Sequence, residues 1–201
     1  MNEERRRLAA DLYAVSREHD RAQGDRLARF RNVEPDTAAL LGVLIRATAA
    51  RRILELGTSN GYSTLWLADA AEATGGRVVS IDLDAARTEL ARVNLRPAGL
   101  IERVELRSED AALTLARSGD AAWDFVFLDA ERSAYAAYVR DLVRSLAPSG
   151  LLAVDNVRSH AHELTEFTAL IESEASLTQS VVPVGAGLRL AVRGTEPRPA
   201  A

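Results

Sequence analysis

The chain of 201 residues contains no cysteine, which excludes disulfides, thiolate metal sites, iron–sulfur clusters and cysteine nucleophiles. It contains no lysine either, since all 25 basic residues are arginine. A Schiff-base lysine, a pyridoxal enzyme and a phosphate-loop lysine are therefore excluded as well. No window approaches the roughly 18 apolar residues of a membrane span, and the first residues lack the apolar core of a signal peptide. A soluble, cytoplasmic protein without membrane contacts is expected. The net charge of −4 gives no bulk attraction to nucleic acid, which makes it an improbable partner. The cluster Arg5, Arg6, Arg7 reads as a solvated helix face.

A hydrophobic share of 47% with 27% charged residues at this length suits one domain. Residues 1–50 carry two helical stretches. Leu8, Leu12 and Val15 recur at helical spacing, a polar stretch over 20–29 reads as loop, and Pro35 and Asp36 open a second helix through Leu40, Leu41, Leu44 and Ile45. From residue 51 short apolar runs at 52–56, 77–82, 103–107, 124–129 and 151–155 alternate with helical segments near 62–72, 84–94, 109–117 and 133–146. Such alternation predicts right-handed βαβ crossovers and a mainly parallel sheet with helices on both faces. Pro148, Ser149 and Gly150 separate the last of these helices from the fifth strand. A helix follows through Leu164, Phe167 and Ile171. Runs at 177–182 and 188–193 have so short a link that they must pair antiparallel. The segment 194–201, with two prolines, reads as a disordered tail.

The first strand runs into Glu55-Leu56-Gly57-Thr58-Ser59-Asn60-Gly61 before a helix. A dinucleotide fingerprint needs G-x-G-x-x-G; E-x-G-x-x-x-G disfavours NAD and FAD and suits a cationic sulfonium nucleoside. The second strand ends at Asp82, where a carboxylate can accept both ribose hydroxyls, and Asp84 is the better N-cap candidate. Ser108-Glu109-Asp110-Ala111 follows the third strand, where an adenine would lie, with Ser108 a candidate helix cap. Asp129 and Asp155-Asn156 end two apolar central strands. Together they form a compact set of hard oxygen ligands suited to Mg²⁺.

The residues Ile53-Leu54-Glu55-Leu56-Gly57-Thr58 with Gly61-Tyr62-Ser63, Phe127-Leu128-Asp129-Ala130, Tyr135 and Tyr138, and Asp155-Asn156-Val157 resemble the cation-dependent O-methyltransferase family, which includes catechol and caffeoyl-coenzyme A O-methyltransferases. The resemblance covers residues 34–193. It implies the Rossmann-like class I methyltransferase fold, α/β, with a seven-stranded mostly parallel sheet, one antiparallel strand, and helices on both faces. It also implies S-adenosylmethionine as methyl donor. On that resemblance Glu55, Gly57 and Gly61, with Thr58 and Tyr62, surround the methionine moiety, and Ser63 contacts its carboxylate. Asp82 and Leu83 belong to the ribose side and Asp110 and Ala111 to the adenine. Asp129, next to Ala130, joins Asp155 and Asn156 in holding the divalent ion.

The implied reaction is methylation of a small vicinal dihydroxy aromatic acceptor, with the ion orienting an ionised hydroxyl. The family's base is a lysine; here the matching residue is Arg132, which stays protonated. Three readings follow: Arg132 acts as a positive charge that favours the ionised hydroxyl, beside Asp129 as the other candidate catalytic residue, while water takes the proton; His160 or His162 supplies the base; or the acceptor is not a catechol. The family's tryptophan-glycine continuation after the fifth strand is absent, so acceptor specificity does not transfer. Alternatives are a tRNA hydroxyuridine O-methyltransferase and a catalytically silent S-adenosylmethionine-binding protein. Trp66, Trp123, Tyr135 and Tyr138 read as packing residues. The two leading helices are expected to make a homodimer contact.

Overall fold

The structure, a computed structural model, describes residues 1–195. The expected tail lies almost wholly outside the described residues. Two helices, α1 (Glu3–Ala22) and α2 (Pro35–Ala47), precede the alternating core. The core then runs β1 (Arg52–Leu56), α3 (Tyr62–Thr74), β2 (Arg77–Asp82), α4 (Ala85–Leu95), β3 (Val104–Ser108), α5 (Ala111–Arg117), β4 (Trp123–Leu128), α6 (Tyr135–Ser145), β5 (Leu146–Val154), α7 (Thr165–Glu172), β6 (Leu177–Val182) and β7 (Leu188–Arg193). The seven strands order as β3-β2-β1-β4-β5-β7-β6. All pairs are parallel except those of β7, which runs antiparallel to both β5 and β6. This is the class I methyltransferase fold.

Side-chain alternation decides the layers. Ile53, Phe125, Phe127 and Ala153 face one core with residues of α2 and α3, whereas Leu54, Leu56, Val126, Leu128 and Val154 face the other with α6 and α7. Strands buried on both faces read as continuous apolar runs, which is why β1, β4 and β5 stand out in the sequence. Tyr135 and Tyr138 are buried in the second core, with Trp123 packed against it and Trp66 against the first. Among the described residues no helix is long and apolar enough to cross a membrane.

Four local expectations are corrected. The fifth strand begins at Leu146, not residue 151: Trp123 pairs with Leu146 and Phe125 with Leu151, so residues 147–150 bulge out. Pro148 donates no hydrogen bond there, and Ser149 takes a φ of 61°, as an outlooped turn allows. The helix after β3 is capped by Asp110, which accepts from Ala112 N at 2.8 Å, and not by Ser108. Asp84 caps α4 as expected. In the leading region α1 extends through Ala22 into the stretch read as loop, and it buries Ala9 and Ser16 while Val15 is exposed. Finally, Arg5 is not solvated. With its side chain 15% exposed, it pairs with Asp69 at 2.9 Å and Glu72 at 2.5 Å on α3, and donates to the Ala98 carbonyl.

Candidate active site

The carboxyl ends of β1 to β5 open on a cavity of about 880 Å³, at the switch between β1 and β4 where open α/β sheets bind ligands. The loop after β1 forms one wall. Gly57 N and Thr58 N donate to the Ile81 carbonyl at 2.9 and 3.1 Å, which ties the loop to β2. Gly57 has a φ of 113°, and a side chain there would overlap the Asp129 carbonyl oxygen. At Gly61 (φ 86°) an added Cβ would stand 2.9 Å from that of Ala91 on α4. Packing within the protein by itself requires both glycines.

Asp82 stands at the tip of β2. One carboxylate oxygen accepts from Ser59 N at 2.7 Å and the other from Asp84 N at 2.9 Å. Each oxygen keeps a free lone pair toward the cavity, as two adjacent hydroxyls require. Leu83, Asp110 and Ala111 line the same end. Gly57 and Ser63 line the middle.

Glu55 lies elsewhere. It is fully buried on the α3 side of β1, where its carboxyl accepts from Ser63, Thr64 and Ser80 hydroxyls at 2.5, 2.5 and 2.6 Å. Burial pushes its pKa up to about 7 despite these three donors. Glu55, Thr58, Gly61 and Tyr62 do not line the cavity; they shape the loop from behind. The reason is the strand pleat, which sends Glu55 into the helix layer while the loop backbone alone reaches the opening.

Asp129, Asp155 and Asn156 come together at the other end. Asp129 N continues the ladder onto the Leu56 carbonyl at 2.9 Å and Asp155 N onto that of Leu128 at 3.2 Å. Adjacent parallel strands therefore place the two acids side by side. The Asn156 amide nitrogen bridges them, donating to Asp129 Oδ1 at 3.0 Å and Asp155 Oδ2 at 3.1 Å. Asn156 holds a φ of 66°, and the loop beyond it is pinned by Val157 N and Arg158 N to the Gly187 and Ala186 carbonyls.

Asp155 is 3% exposed, and its Oδ1 is buried without a hydrogen-bond partner. Burial raises the pKa of both acids, and for Asp129 the Asp155 charge raises it further against the pull of Arg31 and Arg132. A buried carboxylate oxygen lacking a donor is costly, and a cation satisfies it. Among the described residues no cluster of three or more His, Asp or Glu stands ready for a metal. The set here is two carboxylates, joined by the Asn156 amide oxygen once the amide is turned about, which fits a hard ion completed by water or substrate.

Arg132 is buried, and its Nε donates to Glu163 at 2.8 Å. His160 lines the cavity, its pKa lowered by burial and then by the Arg132 charge; His162 does not line it and is exposed. The segment joining α1 to α2 also borders the cavity, through Leu27, Phe30, Arg31 and Asn32. Ser59 Oγ donates to the Phe30 carbonyl at 2.9 Å, and Arg87 on α4 to the Leu27 and Arg29 carbonyls. This strap has no apolar period and no motif, so the sequence carries no signal for it.

Fold and site define an α/β protein of the methyltransferase class, with a pair of acids, Asp129 and Asp155, at one end of its cavity. A family model described as O-methyltransferase matches residues 15–194. The chain belongs to the O-methyltransferase family. It is 38% identical over 150 residues to a catechol O-methyltransferase of Mycobacterium tuberculosis, a match covering 75% of this chain and 64% of that protein. It is 33% identical over 129 residues to a catechol O-methyltransferase of Niastella koreensis, covering 63% of this chain and 58% of that protein. The match thus spans less than two thirds of the length of either relative. Among solved structures, the O-methyltransferase TomG of Streptomyces achromogenes, in complex with S-adenosylmethionine, superposes with a TM-score of 0.76 at 29% identity, covering 96% of this chain and 91% of that one.

Proposed function

We propose that this chain is an S-adenosylmethionine-dependent O-methyltransferase whose acceptor is a small aromatic compound with two adjacent hydroxyls, aided by a divalent cation. The observation that carries the reading is the bridged acid pair of Asp129 and Asp155, with its orphaned buried oxygen, opening on the cavity beside a nucleoside end. S-adenosylmethionine bound in TomG and S-adenosylhomocysteine bound in an O-methyltransferase of Bacillus cereus support the donor. The two catechol O-methyltransferases support the acceptor class.

Asp82 would accept the ribose hydroxyls, Asp110 and Ala111 border the adenine, and Ser63 at the start of α3 meet the methionine carboxylate. When bound, the donor supplies a methyl group on a cationic sulfur. Asp129, Asp155 and the Asn156 amide oxygen would hold the cation, after the amide turns from its present bridge. When bound, the cation favours the ionised hydroxyl and orients it. Arg132 remains charged and adds positive potential at the same end, while its pair with Glu163 keeps it in place. The proton passes to water. His160 is the second candidate acceptor, because it alone of the two neighbouring histidines lines the cavity and is held neutral near pH 7.

Labelled methyl transfer from S-adenosylmethionine to catechols, with Mg²⁺ and in EDTA, tests the reading. Metal-dependent transfer supports it; equal rates in EDTA remove the cation role, and no transfer despite cofactor binding removes the acceptor class. Val15 on α1 and Val43 on α2 are apolar and exposed, which supports a homodimer through these helices; a cytoplasmic location and a single domain complete the proposal.

A further inference from the structure

Arg26, Arg29, Arg31, Arg87 and Arg132 all line the cavity. Four of them are engaged inside the fold. Arg26 donates to Glu131 and Arg132 to Glu163, each at 2.8 Å. Arg29 donates to the Gln23 carbonyl at 3.0 and 2.8 Å, and Arg87 to two strap carbonyls. Arg31 differs. Among the described residues its guanidinium makes no hydrogen bond, its Nε is buried without a partner, and its ion pair to Glu131 is long at 3.8 Å. Glu131 is itself already engaged by Arg26.

The backbone nevertheless holds Arg31 firmly. Phe30 N and Arg31 N donate to the two oxygens of Asp20 at 2.7 and 2.9 Å, and Arg31 takes a φ of 53°. Left-handed backbone is uncommon at a residue other than glycine, and the Asp20 carboxylate holds it here. Its location along the cavity is also defined. Its ion pair reaches Glu131, which lies two residues beyond Asp129 after the end of β4, so its guanidinium reaches the acid end of the cavity.

Resting on the O-methylation reading above, we propose that Arg31 determines acceptor specificity by binding a carboxylate on the acceptor. The substrate class is then an aromatic acid with two adjacent hydroxyls, not a neutral catechol. A guanidinium with unspent donors matches a carboxylate in a planar fork. Glu34 and Glu131 line the same cavity, and a guanidinium bonded directly to the acceptor carboxylate offsets their repulsion.

The test compares kcat/KM for 3,4-dihydroxybenzoate and for catechol in the parent, R31Q and R31M, all with Mg²⁺. The ratio within one protein is unaffected by partial loss of folded enzyme. In parallel, calorimetry measures the affinity of each protein for S-adenosylhomocysteine, and the affinity of each loaded protein for 3,4-dihydroxybenzoate. The parent is expected to favour the acid by roughly ten- to a hundredfold, and both variants to bring the ratio near one with cofactor affinity retained. A parent without preference, or a ratio that both variants leave unchanged, overturns the proposal. Weakened S-adenosylhomocysteine binding with an unchanged ratio also overturns it, and assigns Arg31 to the cofactor's own carboxylate. If neither compound is methylated, the O-methylation reading fails, and the binding arm still decides: acid binding that is lost in R31Q supports carboxylate recognition, and binding that is absent or unaffected contradicts it.

Discussion

Asp69 and Asp155 are buried to the same degree, at 4% and 3% exposure, yet their surroundings are opposite. Asp69, on α3, is met by Arg5 at 2.9 Å, by Arg46 at 2.5 Å and by the amino terminus of Met1 at 3.1 Å. Burial alone would raise its pKa, but the hydrogen bonds from Arg5 and Arg46 outweigh it and the net shift is downward. Asp155 has the Asn156 amide, a second carboxylate beside it, and one oxygen with no donor at all; its shift is upward, chiefly from burial. Equal solvent exposure with opposite shifts separates a carboxylate matched by cations from one that lacks them. At the seam of α1, α2 and α3 the Asp69 carboxylate is fully matched by cations. At the end of β5 the Asp155 carboxylate is not.

The comparison can be broken most forcefully at Asp155. Asp155→Asn should lower Mg²⁺-dependent methyl transfer by about a hundredfold or more, read by labelled transfer at saturating donor, while Asp69→Asn should leave the rate per folded molecule near that of the parent.

Stability should respond in the reverse order. Asp69→Ala leaves Arg46 and the Met1 amino group without their carboxylate and Arg5 with Glu72 alone, and should cost about 2–3 kcal/mol, a figure reduced for the partial exposure of Arg46, measured by urea unfolding. Asp155→Asn removes like-charge crowding, so without metal it should match the parent or exceed it by about 1 kcal/mol at most.

A pH series sharpens the same contrast. The Asp69 pKa is depressed in the folded state from its ordinary 3.8, so its contribution is fully present above that value and is lost as pH falls through the folded pKa. Stability of the parent should therefore drop below about pH 4 by more than that of Asp69→Asn. The smallest effect concerns His160: His160→Gln should lower transfer only about two- to fivefold if water takes the proton, whereas a loss nearer a hundredfold would make the imidazole the base.

Much of this was legible in the amino-acid sequence, for a physical reason. Asp82, Asp129 and Asp155 each close a short apolar run, and a charge at such a point can only sit at the end of a buried strand. Gly57 and Gly61 mark the turn, and both are also required for close packing against Asp129 and Ala91. What escaped notice depends on contacts between distant residues. Arg5 and Asp69 are separated by 64 positions, so Arg5 looked like one of three solvated arginines. Arg31 sits in a strap with no period, and its significance lies in the partners it lacks, which no pattern in the chain records. Glu55 was read as a cavity residue because it abuts the glycine loop; the strand pleat turns it inward.

The account rests on the strand-end acids being a cation site, and calorimetric titration of Mg²⁺ into the S-adenosylhomocysteine-loaded protein addresses that directly, in the parent, Asp155→Asn and Asp69→Asn. One ion should bind per chain in the parent and in Asp69→Asn, with binding lost in Asp155→Asn. An absence of binding in the parent, or binding that Asp155→Asn leaves unaltered, would contradict it.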